Sequence, residues 1–159
     1  MVIEDVFNGA KRALMLLDAY INTVAQEIGM ERAVSLMTKM SENMGAMQGK
    51  MMKEQSGIKE FDAKAASSLL RTIPEDLGFS WEVQEESPKR VVHKVRRCSV
   101  YEAAHMLGID AKAIETMCRA SGVRFMDTIA KQLNPNLSCR LTKFRSTPDD
   151  FCIEETVLG

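Results

Sequence analysis

Phe79-Ser80-Trp81-Glu82-Val83-Gln84, then Glu85-Glu86-Ser87-Pro88, then Val91-Val92-His93-Lys94-Val95-Arg96-Arg97, is the stretch that decides the fold. Its first part alternates apolar and polar residues, its middle is turn-like, and its last part is built of β-favouring residues. An antiparallel hairpin is the reading, with Gly78 marking the change from helix to strand. Toward the C-terminus, Ser99 and Glu102 have capping-box spacing, so a helix is expected to start right after Cys98 and run to about Leu107, before Gly108. Asp110 reads as the cap of a further helix with a buried stripe of Ile114, Met117, Cys118, Phe125, Ile129 and Leu133, ended by Asn134-Pro135-Asn136. Two more strands, 137–145 and 151–158, are joined by the turn formers of 146–150.

Upstream, apolar residues from Ile3 through Val6, Phe7, Ala10, Leu14, Leu17, Ile21 and Val24 to Ile28 recur at helix period, and Gly29 suits a left-handed stop. A second helix is expected from Glu31 to about Lys53. Met30, Met37, Met40, Met44, Met47 and Met51 form a stripe on it that reads as core against the first helix, as a dimer surface, or as a pliable groove. Gly45 and Gly49 allow a backbone to come close. Gly57 breaks the pattern, and Asp62 caps a third helix through Ile73 that Pro74 should stop. The sum is an α+β fold: N-terminal helices plus a four-stranded antiparallel sheet with helices packed on one face. One domain over 1–159 is expected, helical over 1–77 and sheet-helix-hairpin over 78–159.

A chain of 159 residues can bury about two-thirds of its unfolded surface. A net charge of -1 gives no basic field, so nucleic acid is not an expected partner. Met1-Val2-Ile3-Glu4-Asp5 lacks a basic start and an apolar signal core, and no run approaches the ~20 apolar residues that span a bilayer. A cytoplasmic protein with no membrane partner is expected. Its cysteines, Cys98, Cys118, Cys139 and Cys152, then read as reduced thiols, without a Cys-x-x-Cys pair.

Cys98 precedes a capped helix and follows Arg96 and Arg97, two influences that favour thiolate; a small apolar side chain closing the strand-helix corner is the alternative. His105 is the nearest candidate base in sequence, while His93, in phase with Val91 and Val95, reads as a satisfied core side chain. Cys118 lies on its helix's buried stripe. Cys152 is in phase with Glu154 and opposite Phe151, Ile153 and Val157. If helices cover that face, Cys98, Cys118 and Cys152 can meet. Zinc with Glu154 or Cys139 as fourth donor is an open alternative, but proximity without metal, and no cofactor, is the expectation. Among Arg96, Arg119, Arg124, Arg140 and Arg145, Arg140 is the first choice to clamp a carboxylate, because its strand phase mixes polar and aromatic residues. Arg119, beside Cys118, is second. Asp149 and Asp150 are turn residues or an acid near the site. A small ligand, anionic or partly apolar, and a homodimer are the expected partners.

The order Cys98-x-x-Tyr101-Glu102, helical Cys118, Asn134-Pro135 and Asp149-Asp150-Phe151-Cys152 resembles the 2-aminothiazoline-4-carboxylate hydrolase family over residues 78–158. It departs from that pattern at Ser99, where the family usually has Pro, and at Pro148-Asp149-Asp150, where it has a Gly-Asp turn. The resemblance implies opening of a cyclic amidine by water added at the carbon between nitrogen and sulfur. Cys98 would then be nucleophile or ligand, Asp150 or His105 acid or base, and Arg140 the carboxylate clamp, with Arg119, Tyr101, Cys118 and Cys152 in the substrate wall. The helix and closing-hairpin order is also similar to the 4-vinyl reductase domain, which implies a non-catalytic module that binds small apolar ligands. A third reading has the helices mediating assembly.

Overall fold

The computed structural model describes residues 3–159; Met1, Val2 and the side chain of Ile3 lie outside the described residues. Helix α1 (Ile3–Ile28) turns at Gly29, which has φ 86°, into α2 (Met30–Ser56). Two short helices follow, α3 (Ala63–Leu70) and α4 (Thr72–Asp76). The hairpin is β1 (Trp81–Glu86) and β2 (Arg90–Val95), then come α5 (Ser99–Met106) and α6 (Ala111–Cys118). A π-helical turn (Arg119–Val123) joins α6 to α7 (Arg124–Leu133), and β3 (Leu137–Lys143) and β4 (Cys152–Leu158) close the chain. The fold is α+β, with one antiparallel sheet in the order β1-β2-β4-β3. Among the described residues no helix is long and apolar enough to cross a membrane.

Local chemistry sets several of these boundaries. Asp62 accepts from the Ala65 N–H at 2.7 Å, and Asp110 accepts from the Lys112 and Ala113 N–H groups at 3.0 Å, as N-caps do. The Ser87 hydroxyl accepts from the Arg90 N–H at 3.0 Å and closes the first hairpin. Other boundaries differ from the expectation. Pro74 does not end its helix: the chain breaks at Arg71, and Pro74 sits in the first turn of α4, where its missing N–H has no intrahelical partner to lose. The cap of α5 is Cys98, whose Sγ accepts from the Tyr101 N–H at 3.4 Å. Ser99 instead donates its hydroxyl to the Leu77 carbonyl at 3.2 Å.

The sheet buries the face that carries Val91, His93 and Val95 on β2, Cys152 and Thr156 on β4, and Leu137 and Leu141 on β3. The polar-looking side of β4 is therefore its covered side. Ile153 and Val157 lie half-buried on the open face, and Phe151 is topped by Lys94 Nζ at 4.2 Å and Lys143 Nζ at 3.4 Å. Arg90, paired with Glu85 and Glu155, laces that open face. One apolar core, with Phe61, Leu70, Val91, Ile129, Leu133 and Leu137, lies under α3 and α7.

The methionine stripe is not core. Of its members only Met37 is buried, and the buried edge of α2 is Ala33, Met37, Ser41, Gly45, Gly49 and Met52. That edge repeats about every four residues and is small in its middle, so α7 can lie directly on it. A Cβ on Gly45 would stand 2.8 Å from the Phe125 carbonyl oxygen, and one on Gly49 2.7 Å from Gln132 Cβ. Helix α1 packs on α5 at its other end, where buried Phe7 lies under the Arg97 guanidinium at 3.7 Å.

Candidate functional site

Where α1 and α2 spread away from the sheet, a cavity of about 380 Å3 opens between them, α5, the α6–α7 helix and the covered sheet face. Leu14, Leu17 and Ile21 line it from α1, and Met37, Met40 and Met44 from α2. The floor is sheet: Trp81, Val95, Leu141, Cys152 and Glu154. The π-helical turn supplies Ser121, Gly122 and Val123 to the wall. Such a turn spends an extra residue, which swings the helix around the cavity and re-aims the side chains of α7.

Cys98, Tyr101, Cys118 and Cys152 are brought together in this wall. Cys98 packs with Val95 and Cys152 on one side and with Tyr101, Ile114 and Cys118 on the other. Its thiol differs from the expectation of a favoured thiolate. Burial pushes it up to about 12, against the smaller opposing pull of the Tyr101 N–H and of Arg145. The arginines expected to help are engaged elsewhere, Arg96 with Glu82 and Arg97 with Glu4 at 2.7 Å. Burial also raises Cys118 well above the usual thiol range, and holds Cys139 at about 12. Among the described residues no three His, Cys, Asp or Glu side chains are placed to hold a metal ion.

The other expected site residues are not in the cavity wall. His105 is exposed and stacks on Tyr101 at 5.8 Å. Asp150 accepts from Lys143 at 2.6 Å and from the Ser146 N–H at 3.1 Å, contacts that organise the β3–β4 turn and hold its carboxyl well below the usual range. Arg140 is exposed on the open sheet face, opposite Glu155. Arg119 donates to Glu115 at 2.7 Å and to the Leu141 carbonyl at 3.0 Å, tying the π-helical turn to β3.

Two carboxyls and one cation complete the setting. Burial raises Asp18 to about 6, and its Oδ2 has no hydrogen-bond partner. Burial raises Glu154 to about 7 against the pull of Arg145. Arg145 is 1% exposed. It donates to Cys152 Sγ at 3.4 Å and to the Val95 carbonyl at 3.0 Å, and lies 4.8 Å from the Tyr101 ring centre, behind the wall. The cavity is thus a mostly apolar chamber whose acids are pushed toward their neutral forms.

The sequence model of the L-2-amino-thiazoline-4-carboxylic acid hydrolase family matches residues 9–153. The chain belongs to that family. The match takes in α1 to α4 as well as the segment that carried the resemblance. No curated protein matches the chain. Among solved structures, the phenol-responsive sensory domain of the transcription activator PoxR with phenol aligns at a TM-score of 0.59 and 13% identity, over 91% of this chain and 74% of that one. Trafficking protein particle complex subunit 3 from Naegleria fowleri, covalently bound to palmitic acid, aligns at 0.55 and 14% identity, over 94% and 96%. At these identities the likeness is one of fold.

For this member of the hydrolase family, sequence reasoning did not single out Asp18, Trp81 and Glu154 as cavity groups. A signal existed for Asp18, which lies at i+4 from Leu14 and i−3 from Ile21 on the buried stripe of α1. Glu154 was visible only as a possible metal donor, and Arg145 only as one arginine among several.

Proposed function

We propose that the protein binds a small, uncharged and largely apolar ligand in the cavity between its long helices and its sheet. The observation that carries this reading is the cavity itself, about 380 Å3, within the range of small-molecule sites, with protonated thiols and with acids pushed toward neutrality in its wall. An anionic ligand is the poorer match, since no Lys, Arg or His side chain lines the cavity among the described residues. The phenol and palmitic acid named for the two structures of similar fold are guests of a compatible kind. Native mass spectrometry of gently purified protein, with thermal shifts in phenol and in a saturated fatty acid, tests it. A co-purifying apolar mass or a dose-dependent rise in melting temperature is expected. Preference for a charged, polar compound would overturn it.

Family membership and Glu154, poised to exchange a proton near neutral pH, favour a second reading, hydrolysis of a cyclic amidine held in the same cavity. Release of a ring-opened product by the purified protein, lost in Glu154→Gln, supports it; binding without turnover leaves the first reading alone. We also propose a homodimer. Leu16 and Tyr20 on α1 and Met47 on α2 are 77%, 68% and 60% exposed and lie outside the cavity lining, apolar groups that a second copy of the same two helices would cover in two-fold fashion. A monomeric mass by light scattering would rule this out.

A further inference from the structure

Behind the cavity, on the same sheet face, lies a second and much smaller chamber of about 30 Å3. Trp81 and Glu154 belong to the walls of both, so the two spaces are neighbours. His93 and Glu154 stand directly opposite each other on β2 and β4, and their side chains share the covered face. His93 is 4% exposed. Its Nε2 is 2.7 Å from the Ser67 hydroxyl on α3, and its Nδ1 is buried with no protein partner. The Trp81 ring meets the imidazole edge-on at 4.9 Å, and its Nε1–H is likewise buried and unpartnered.

Orphaned buried polar atoms are uncommon, and two on residues that line one small space point to something that satisfies both. A water needs roughly 10–15 Å3 of room and two to four polar partners. The chamber has that room. The indole N–H is a donor, the Glu154 carboxyl can accept or donate, and His93 Nδ1 accepts or donates according to which way the Ser67 bond runs.

We propose that the chamber holds one water, and that Ser67, His93, this water and Glu154 form a chain along which a proton reaches the wall of the ligand cavity. The chain makes Glu154 the acid–base group of the cavity, a role no cysteine fills. Its geometry is independent of turnover, but its use in chemistry rests on the hydrolytic reading. There, a second water, in the ligand cavity beside the guest, bonds through its oxygen to the amidine carbon while one of its protons passes to ionised Glu154. The C=N electron pair moves onto nitrogen, and nitrogen takes the proton from Glu154, so the adduct forms with no net change of charge.

Other charges face this chain. Burial first, and then Arg71 at the end of α3 and in the chamber wall, hold His93 toward its neutral form, while Glu86 pulls weakly the other way. Arg145 acts on Glu154 from the β3–β4 connection. Arg140 and Glu155 also border the chamber, although on their strands they belong to the open sheet face, where Arg90 holds Glu155 at 2.8 Å. The thiols of Cys98, Cys118 and Cys139 are pushed up and stay protonated through the neutral range. Across the cavity, Asp18 is the other carboxyl raised toward neutrality.

Trp81 is the only tryptophan of the chain, so its fluorescence reports on the wall that the chamber and the ligand cavity share. Wild-type protein titrated from acid to alkaline pH should show a fluorescence transition with a midpoint of about 7. The transition should vanish in Glu154→Gln, survive in Asp18→Asn and shift in Ser67→Ala, with circular dichroism checking that each variant is folded. A high-resolution crystal structure should place a water within hydrogen-bonding distance of Trp81 Nε1 and His93 Nδ1. Persistence of the transition in Glu154→Gln, or a dry chamber, overturns the proposal. Turnover of a cyclic amidine is scored separately: a protein with the transition but without turnover keeps the chain and loses the hydrolytic reading, whereas undiminished turnover in Glu154→Gln keeps hydrolysis and overturns Glu154 as its acid–base group.

Discussion

Position beside a helix start is a weak influence on an ionisable side chain when water is withheld from it. The dipole of a helix contributes about 0.3–1 kcal/mol near its first turn, and a nearby cation adds to it, but excluding solvent from a thiolate opposes both more strongly. Cys98 shows that balance, with Tyr101 N–H and Arg145 on one side and burial on the other. Alkylation of native protein between pH 7 and 9, followed peptide by peptide in a mass spectrometer, should therefore find Cys98 and Cys118 slower than the same thiols after unfolding. Equal rates would mean the cavity is freely wet. The raised carboxyls make a second prediction. A carboxyl held at about 6 in the folded protein against 3.8 unfolded binds its proton more tightly when folded, so Asp18 favours folding at acid pH and loses that advantage as pH rises through 6. Glu154 behaves likewise from 4.5 to about 7. Urea midpoints should thus fall between pH 5 and 8, and Asp18→Asn should flatten the slope and raise stability at pH 8 by at most about 3 kcal/mol. Beyond the place of Asp18 on the apolar stripe of α1, little of this was legible in the sequence. Charge state depends on which neighbours exclude water, and those neighbours lie on α2, α5 and β4, far along the chain.

Elements were more legible, because what starts and stops them is local. Asp62 and Asp110 announce their helices by side-chain bonds that span two or three residues, and the Ser87-Pro88 turn does the same for the hairpin. The methionine stripe misled as a core face, for the opposite reason, although Met37, Met40 and Met44 do line the cavity. Periodicity says that a face exists, not which of two faces is covered, and on α2 the glycine edge rather than the methionine edge meets α7. This makes the glycines testable. Gly45→Ala gains helix propensity of about 1 kcal/mol but forces a methyl against the Phe125 carbonyl and Thr128, so a net loss of about 1–3 kcal/mol is expected in chemical denaturation. Gly9→Ala on α1 meets nothing within 4 Å and should stabilise by up to about 1 kcal/mol. If both substitutions behaved alike, the α2–α7 contact would be looser than described.

For the molecule as a whole, the cavity lies among small apolar clusters while the larger core sits under α3 and α7. A ligand that fills it joins those clusters and should stabilise the entire fold. At a hundredfold excess over its dissociation constant the gain is about 2.7 kcal/mol, or a rise of roughly 5–10 °C in melting temperature for a chain of this size. Differential scanning calorimetry with any guest found by mass spectrometry checks this, and no rise at saturation would place that guest on the surface instead. The π-helical turn at Arg119–Val123 has a consequence of its own for descent. Such a turn arises when one residue is added to an α-helix, and removing it would rotate α7 by about 100°. Ile129, Ala130 and Leu133, at most 3% exposed, would leave the interior together. Once acquired, the extra residue could not be lost in a single deletion, so lineages that retain this cavity should hold the interval from Asp110 to Asn134 at constant length while length changes accumulate at Gly57 and in the 146–150 turn.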